Sequence, residues 1–186
     1  MNTTADIDSS VSRESAASNF GDTAQFLTFS LGQETLGLNI LTIKEIIEYG
    51  RLTAVPQMPR FIEGVINLRG RVVPVVNLAL RMGKPPTPPQ KRTCIVIIEV
   101  ANGSNSHDVG VVVDSVSEVL DIPANRIEPA PAFGARLRTD FIRGMAKVGD
   151  TFVILVNADK VVSIDEMASI ASGINGHLEL AEGSTN

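Results

Sequence analysis

The chain has 186 residues, a formal net charge of −5, one cysteine and two histidines. This length leaves room for one ordinary domain, or for two small ones that share a core. The single cysteine, Cys94, excludes an internal disulfide framework, and with only His107 and His177 beside it a zinc cluster is excluded as well. Hydrophobic residues make up 44% of the chain but aromatic residues only 4%, so the core must consist mainly of Val, Ile and Leu, which favours β-strands.

Neither membrane insertion nor secretion is expected from the hydropathy pattern. The longest apolar runs, such as residues 94–98 and 152–156, are far shorter than the roughly 18 residues that span a bilayer. The first residues have neither the basic segment nor the apolar segment of a secretory signal. We therefore expect a soluble, cytoplasmic protein.

Acidic residues are concentrated at the two ends of the chain. Both ends are also poor in large apolar side chains, which predicts flexible tails at residues 1–23 and 172–186, the first of them acidic. The body between them is nearly neutral and has no basic stripe interleaved with aromatic residues. A nucleic acid is therefore not an expected partner.

Five elements are predicted in the first half. Gln25–Leu31 has apolar residues at every second position and is followed by a glycine turn, which is typical of a hairpin strand. From Ile40 to Ile47, isoleucines recur at helical spacing behind Asn39, a suitable cap, so a short amphipathic helix is predicted. Three more strands are predicted at Leu52–Val55, Gly64–Leu68 and Val72–Val76, the last two joined by a turn at Arg69-Gly70-Arg71.

The second half begins after a proline-rich segment. Lys84–Gln90 contains four prolines in seven residues, which predicts an extended connector at residues 85–90. Strands at Thr93–Val100 and Val109–Val113 are predicted to flank a polar loop that contains His107. A capping box that starts at Ser163 predicts a terminal helix to about Ala171.

The second half repeats the order of the first. Residues 37–47 align without a gap with residues 110–120, at an offset of 73. Phe61–Gly64 aligns with Phe141–Gly144 at an offset of 80, and the strand pairs that end at Asn77 and Asn157 match at this second offset.

We interpret these matches as an internal duplication with halves at residues 24–84 and 91–160. Each half has about five short strands and is too small to enclose much core alone. A five-stranded sheet of this kind removes its edges by closing. The predicted fold is therefore mainly β, with two five-stranded barrels packed together, short helices and a C-terminal helix.

No arrangement of residues indicates catalysis. His107 and its polar neighbours are adjacent in sequence, whereas the members of a catalytic triad converge in space from rigid supports. Cys94 opens an apolar strand and has no neighbouring base that would activate it. We therefore assign no catalytic residue, metal ligand or cofactor-binding motif, expect no enzyme, and look for function in the surfaces.

The residues of segment 64–78 are the ones that a purely structural role explains least well. Arg69 and Arg71 flank a turn glycine between apolar strands, and Pro74 removes a backbone donor from its strand, which points to a sheet edge. The two arginines could equally be a turn that keeps the surface soluble. The matching turn of the second half, residues 148–151, lacks both, so the fold does not require them and a functional role gains weight.

Blocks throughout the chain resemble the CheW family of bacterial chemotaxis adaptors. In order, the blocks are Phe29–Gly32, Gly37–Leu41, Phe61–Gly70, Val73–Leu78, Gly110–Val119 and Ile154–Asn157. The resemblance implies a CheW-like domain at residues 24–171, made of two SH3-like five-stranded β-barrels around a shared core.

The resemblance also implies a function. It describes a non-enzymatic adaptor that couples transmembrane chemoreceptors to the chemotaxis histidine kinase, in the cytoplasm at membrane-associated receptor arrays. The partners would be the regulatory domain of the kinase, which has a similar fold, and the helical cytoplasmic tip of the receptors, with self-association in array rings as a further option. No cofactor is implied.

Partner-binding residues are carried over by position from the family. They are Ile43, Glu45, Gly64 and Arg69 around the partner interfaces, and Ile95, Val116 and Val119 along an apolar receptor groove. Ile43 and Val116 could instead be core residues. Glu45 could form an ion pair with Arg69.

Two other functions remain open from the sequence. The chain could be the CheW-like module of a larger chemotaxis regulator that also contains a phospho-accepting receiver domain. It could also be a small-molecule-binding barrel pair or a hydrolase, which a deep polar pocket would reveal.

Overall fold

The computed structural model describes residues 22–131 and 139–161. These ranges form eleven β-strands and two short helices. In chain order they are β1 (Thr23–Leu31), β2 (Glu34–Asn39), β3 (Ile43–Glu48), β4 (Ile62–Leu68), β5 (Arg71–Asn77), α1 (Leu78–Arg81), β6 (Cys94–Asn102), β7 (Asn105–Val113), β8 (Ser115–Pro123), β9 (Ile127–Glu128), β10 (Ile142–Val148), β11 (Thr151–Val156) and α2 (Ala158–Val161).

The strands form two sheets, which confirms the mainly β fold. Sheet 1 has the strand order β8-β1-β2-β11-β10-β9, and sheet 2 has the order β3-β6-β7-β5-β4. Sheet 1 thus has six strands where five were predicted, although its last strand, β9, is only two residues long.

Each sheet contains strands from both halves of the sequence. Sheet 1 takes β1 and β2 from the first half and its other four strands from the second, while sheet 2 takes β6 and β7 from the second half and the rest from the first. The expectation that each half closes into its own barrel is therefore wrong. A half cannot close alone because its opening hairpin pairs with strands of the other half.

Four strand pairings join the halves, and the two parallel ones, β2 with β11 and β5 with β7, are equivalent. Gly37 of β2 lies opposite Leu155 of β11, and Gly110 of β7 lies opposite Val75 of β5. Gly37 and Gly110 are separated by the offset of 73, and Val75 and Leu155 by the offset of 80. The same register at both joins gives the molecule an approximate internal twofold symmetry.

Three apolar clusters fill the part of the molecule that residues 22–131 and 139–161 form. The largest lies between the sheets and includes Phe29 and Leu36 from sheet 1 and Ile98 and Val111 from sheet 2. A smaller cluster lies inside sheet 1 around Phe26, and another lies inside sheet 2. Each of the smaller clusters joins side chains from both edges of its own sheet, so each sheet is curled into a barrel and the two barrels share the largest cluster.

The helix predicted at Ile40–Ile47 is wrong. Asn39 does cap a helical turn, since its Oδ1 accepts a hydrogen bond from the Leu41 amide at 2.9 Å, but this 3₁₀ turn covers only Ile40–Thr42. The chain then continues as β3, which pairs with β6. The isoleucine spacing fits a helix and a half-buried strand almost equally, and the β-branched side chains pack well on a sheet.

Other local expectations also change. The strand predicted at Leu52–Val55 is reduced to one bridge between Thr53 and Val65. His107 lies in β7 opposite Val100, since the predicted loop is a tight hairpin turn. Pro74 is not in an edge strand: β5 pairs with β4 on one side and, from Val75 onwards, with β7 on the other.

Residues 84–90, which include the proline-rich segment, have no regular secondary structure. Lys84 contacts the Glu34 carboxylate, and the Thr87 hydroxyl lies 3.4 Å from an Asp114 carboxylate oxygen. Residues 1–21 and 172–186 of the predicted tails, and the predicted terminal helix at Ser163–Ala171, fall outside the described residues. Thr23, which was predicted to be in the first tail, begins β1.

Candidate partner-binding surface

The hairpin turn between β4 and β5 holds Arg69 in an unusual backbone conformation. Arg69 has φ +53° and Gly70 has φ +84°, a pair of positive values that marks a type I′ turn. The Asn67 side chain supports the turn by accepting a hydrogen bond from the Gly70 amide at 2.8 Å. A left-handed conformation costs a residue other than glycine roughly 1–2 kcal/mol, so Arg69 is kept at some expense of stability.

Arg69 forms a two-bond ion pair with Glu45 of β3. The Arg69 Nη1 lies 2.9 Å from Glu45 Oε1, and Nη2 lies 3.1 Å from Oε2. The predicted pairing of these residues is confirmed. Since β3 and β4 are the opposite ends of the sheet 2 order, the ion pair joins the two edges of that sheet across its closure.

A bulge in β3 brings Lys44 to the same place as Glu45. The pairing of β3 with β6 shifts between Ile43 and Glu45, which leaves Lys44 as the extra residue. Neighbouring residues of a regular strand point to opposite faces, but a bulge redirects them. Lys44 and Glu45 therefore both line one shallow depression with Arg69 and Arg71.

Lys44 and Arg71 meet at Asp108 of β7. The Lys44 ammonium lies 2.6 Å from Asp108 Oδ1, and the Arg71 Nη1 lies 3.3 Å from Asp108 Oδ2. Lys44 also lies 3.5 Å from Glu99 of β6, which accepts a hydrogen bond from the Ser106 hydroxyl at 2.6 Å. We call this group of residues the charged surface. Its members are Lys44, Glu45, Arg69, Arg71, Glu99 and Asp108.

These contacts change the acidity of two groups. The hydrogen bond to Asp108 outweighs burial and raises the pKa of Lys44 above its ordinary value. The hydrogen bond from Ser106, followed by the charge of Lys44, lowers the pKa of Glu99. Both residues are therefore charged throughout the physiological pH range.

A second bridge joins the end of β3 to the start of β4. The Tyr49 hydroxyl donates a 2.9 Å hydrogen bond to Glu63 of β4, and the Asn77 side-chain amide donates to the other oxygen of the same carboxylate. Burial, then the hydrogen bond and the charge of Glu63, raise the pKa of Tyr49 to about 12.

The apolar residues carried over from the family differ in how far they are buried. Ile43 and Val116 are partly buried and pack against the largest apolar cluster, so the core interpretation accounts for much of their surface. Val119 is exposed, and so is Ile46, its equivalent at the offset of 73. Of the carried-over apolar residues, Val119 is the one with a well-exposed side chain, and Ile46, which was not among them, exposes a similar area on β3.

Two carried-over positions are mainly structural. Ile95 is buried in the cluster inside sheet 2 and does not line a surface groove. Gly64 has φ +155°, and a Cβ there would lie 2.5 Å from the Thr53 carbonyl oxygen. A glycine is needed at this position because the backbone of the Thr53 bridge approaches so closely.

Sequence reasoning missed two features. Leu41, at the tip of the 3₁₀ turn, is 88% exposed and lines a groove with Arg143 and the end of β11. Arg81 of α1 is buried, with its guanidinium carbon 4.6 Å and 4.7 Å from the ring centroids of Phe61 and Phe141. The match of Phe61 with Phe141 in the sequence was a possible signal for a shared contact with Arg81. The sequence pattern, however, does not distinguish a buried arginine from an exposed one.

Over residues 22–131 and 139–161, no group of three or more His, Cys, Asp and Glu side chains is arranged to hold a metal ion. In the same part of the chain, no helix is long and apolar enough to cross a bilayer.

The fold and the surface together define a class of protein. Two SH3-like barrels, joined through a common core, present an ordered array of charges and isolated apolar side chains on a rigid support. These are features of a protein that acts by binding other proteins.

Comparisons with known proteins identify the family. A CheW-like domain matches residues 25–166. The chemotaxis protein CheW of Klebsiella aerogenes is 35% identical over 153 residues, which cover 82% of this chain and 90% of that protein. A probable chemotaxis protein CheW of Rhizobium etli is 32% identical over 148 residues, covering 80% of this chain and 92% of that protein.

A solved structure agrees with these relatives. The crystal structure of the scaffolding protein TtCheW from Thermoanaerobacter tengcongensis matches with a TM-score of 0.70 and 33% identity, over 78% of this chain and 91% of that one. The chain belongs to the CheW family of chemotaxis scaffolding proteins. These matches favour the adaptor over the module of a larger regulator.

Proposed function

We propose that the chain is a non-enzymatic adaptor that couples transmembrane chemoreceptors to the chemotaxis histidine kinase. It acts in the cytoplasm and is recruited to membrane-associated receptor arrays. The regulatory domain of the kinase docks on the end of the sheet 2 barrel, and the helical tip of a receptor docks on the exposed apolar residues. Contacts between copies of the chain in array rings are part of the same proposal.

One observation supports this proposal above the others, the Glu45–Arg69 ion pair on a strained turn. Arg69 is 78% exposed and Glu45 25% exposed, and an ion pair this accessible contributes at most about 1 kcal/mol to stability. The conformational cost of Arg69 is of the same size or larger. A residue retained against stability fits a role in orienting a partner.

The receptor side of the proposal depends on the apolar residues. Val119 and Ile46 expose apolar side chains on the outer strands of the two sheets, and Leu41 extends into the groove beside Arg143. An amphipathic helical tip can bury such isolated side chains, because helix docking uses anchors at spaced positions. Ile43 and Val116 pack against the largest apolar cluster and so anchor β3 and β8, the strands that carry Ile46 and Val119.

The test is co-sedimentation of the purified chain with receptor-containing membranes, with and without the kinase, followed by kinase activity. We expect the wild-type chain to sediment with the membranes, to increase kinase recruitment and to make kinase activity responsive to receptor ligand. Arg69→Glu should reduce recruitment at least about tenfold with unchanged circular dichroism. Lys91→Glu, an exposed charge reversal in the connector region, is the matched control.

Failure of the wild-type chain to sediment with receptors or to bind the kinase would overturn the adaptor function. Wild-type behaviour of Arg69→Glu in both assays would overturn only the site.

A further inference from the structure

The Lys44–Asp108–Arg71 cluster is not explained by the ion pair beside it. Asp108 has only 10% of its side chain exposed, yet it contacts two cations, at 2.6 Å and 3.3 Å. The Arg71 side chain is 68% exposed. Asp108 thus holds the base of the cluster while Arg71 extends from it into solvent.

The charged surface presents positive charge to the solvent, because its two arginines are more exposed than its carboxylates. Its three cations and three carboxylates balance in number, but the side chains of Arg69 and Arg71 are more exposed than those of Glu45, Glu99 and Asp108. A partner that approaches meets the guanidinium groups first. Since the interaction of two charges falls with distance, a carboxylate on the partner is attracted even though the cluster is formally neutral.

The two arginines differ in how many donors are in use. Arg69 uses both terminal nitrogens to bind Glu45. Arg71 donates through Nη1 alone to Asp108, over 3.3 Å. A guanidinium group has five N–H donors, so Arg71 retains a fork of donors that fits a carboxylate.

The second half of the chain supplies an internal comparison. At the two offsets, the positions of Lys44, Arg71 and Asp108 correspond to Ser117, Thr151 and Thr35, all of them neutral. β8, β2 and the β10–β11 hairpin still form at these positions. The fold therefore does not need the three charges, and they are particular to one end of the molecule.

We propose that Arg71, held in place by Asp108, is a second contact residue that selects an acidic group on the regulatory domain of the kinase. This inference rests on the proposed function and adds the chemistry of the partner. Arg69 with Glu45 orients the kinase domain, and Arg71 distinguishes a domain that presents a carboxylate from one that does not. Asp108 is a positioning residue, which acts through Arg71 and Lys44.

The experiment measures binding of the purified full-length chain to the isolated kinase regulatory domain by surface plasmon resonance at low and high salt. At about 50 mM salt, Arg71→Glu should weaken the affinity at least about tenfold, mainly through a slower association rate. At about 500 mM salt the difference should fall below about threefold, because the Debye length is then a few ångströms. Arg71→Lys, which keeps the charge but not the fork of donors, should bind with an affinity between those of the wild type and Arg71→Glu. Lys91→Glu should match the wild type.

Asp108→Asn distinguishes a positioning role of Asp108 from a purely structural one. The substitution makes the surface more positive, so the association rate should not fall, while the loss of the anchor should raise the dissociation rate several-fold. Asp108→Glu, which restores the carboxylate, should recover part of the loss. Thermal unfolding of each variant checks that the fold is intact.

Each remaining outcome counts against the inference. Binding of Arg71→Glu within twofold of wild type at low salt, or a loss that is equal at both salt concentrations, would show that Arg71 meets no carboxylate. A loss confined to receptor binding would show that the partner is wrongly assigned. If the wild-type chain does not bind the kinase domain, the proposed function fails together with this inference.

Discussion

Arg81 and Val161 occupy equivalent positions in the two halves, and the Nε of Arg81 donates a 2.6 Å hydrogen bond to the Val161 carbonyl. The rings of Phe61 and Phe141, which are also equivalent, lie on the guanidinium group. A single cation thus breaks the internal symmetry where α1 and α2 approach each other. It also connects the two halves at a point where both are buried.

Arg81→Ala should lower the free energy of unfolding by about 2–4 kcal/mol, because it removes two cation–π contacts and a hydrogen bond and leaves a cavity. Arg81→Lys should recover only part of this loss, since an ammonium group lacks the flat face that stacks between two rings. Urea unfolding followed by circular dichroism measures both effects. Arg60→Ala, at an exposed position, is the control, and a change below about 0.5 kcal/mol for Arg81→Ala would contradict the assigned role.

The glycines at the two parallel joins should differ in their tolerance of a methyl group. A Cβ at Gly110 would lie 2.7 Å from Ile95 Cγ2 and 3.2 Å from Val75 Cγ2, whereas a Cβ at Gly37 would come no closer than 3.1 Å to Leu155 Cδ2. Overpacking of this kind costs typically about 1–3 kcal/mol, so Gly110→Ala should be the more destabilising change. Thermal denaturation gives the ranking.

Gly50→Ala is the control for the two joins, because a Cβ at that exposed position meets no atom within 4 Å. It should leave the stability unchanged or raise it slightly. Equal stability of the Gly110 and Gly37 variants would show that the second join is as tightly packed as the first.

Stability should fall in alkaline solution through Tyr49. Its pKa in the folded chain is raised from 10.0 to about 12, so the folded state retains a proton that the unfolded state releases. The contribution is complete below pH 10 and is lost as the pH rises towards about 12. The chain has one tyrosine and no tryptophan, so the phenolate absorbance reports this residue alone.

Glu63→Gln should shift the Tyr49 titration to lower pH. The substitution removes the negative charge and the carboxylate acceptor, but burial, the largest cause, remains. The midpoint should therefore lie between those of the folded wild type and the unfolded chain. Identical midpoints for the variant and the wild type would refute the role of Glu63.

Two substitutions at Arg69 should separate backbone strain from charge. Both Arg69→Gly and Arg69→Ala remove the guanidinium group, but only glycine adopts the positive φ without steric cost. Arg69→Gly should be more stable than Arg69→Ala by about 1 kcal/mol. Both should lose affinity for the kinase regulatory domain. A higher stability for the alanine variant, measured by urea unfolding, would argue against strain in the turn.

Much of the fold could be predicted because it depends on local patterns. The strand pair around Arg69-Gly70-Arg71 follows from apolar runs on either side of a turn glycine. Strand β1 follows from the alternation at Leu27, Phe29 and Leu31 before a glycine turn. The equivalence of the halves was visible in matched glycines and phenylalanines. The exchange of hairpins between the halves was not, because nothing local distinguishes a β2 that pairs within its own half from one that pairs with β11.

The candidate surface shows the same limit. The pairing of Glu45 with Arg69 could be anticipated from charge and from the family resemblance. The involvement of Lys44 and Asp108 could not, because it depends on a bulge in β3 and on the closure of sheet 2, which brings distant residues together. The error at Ile95 has a similar origin, since an apolar residue in a strand looks the same whether it faces a groove or a core.

The exchange of hairpins has a consequence for how this molecule can be divided. A cut within the proline-rich stretch around Pro86 would separate two polypeptides, each with unpaired backbone groups along the strand it offers to the other. Neither piece could reach its native shape by itself, and the two would have to find each other to do so. Co-expression of the fragments, rather than truncation, is therefore the appropriate way to dissect it.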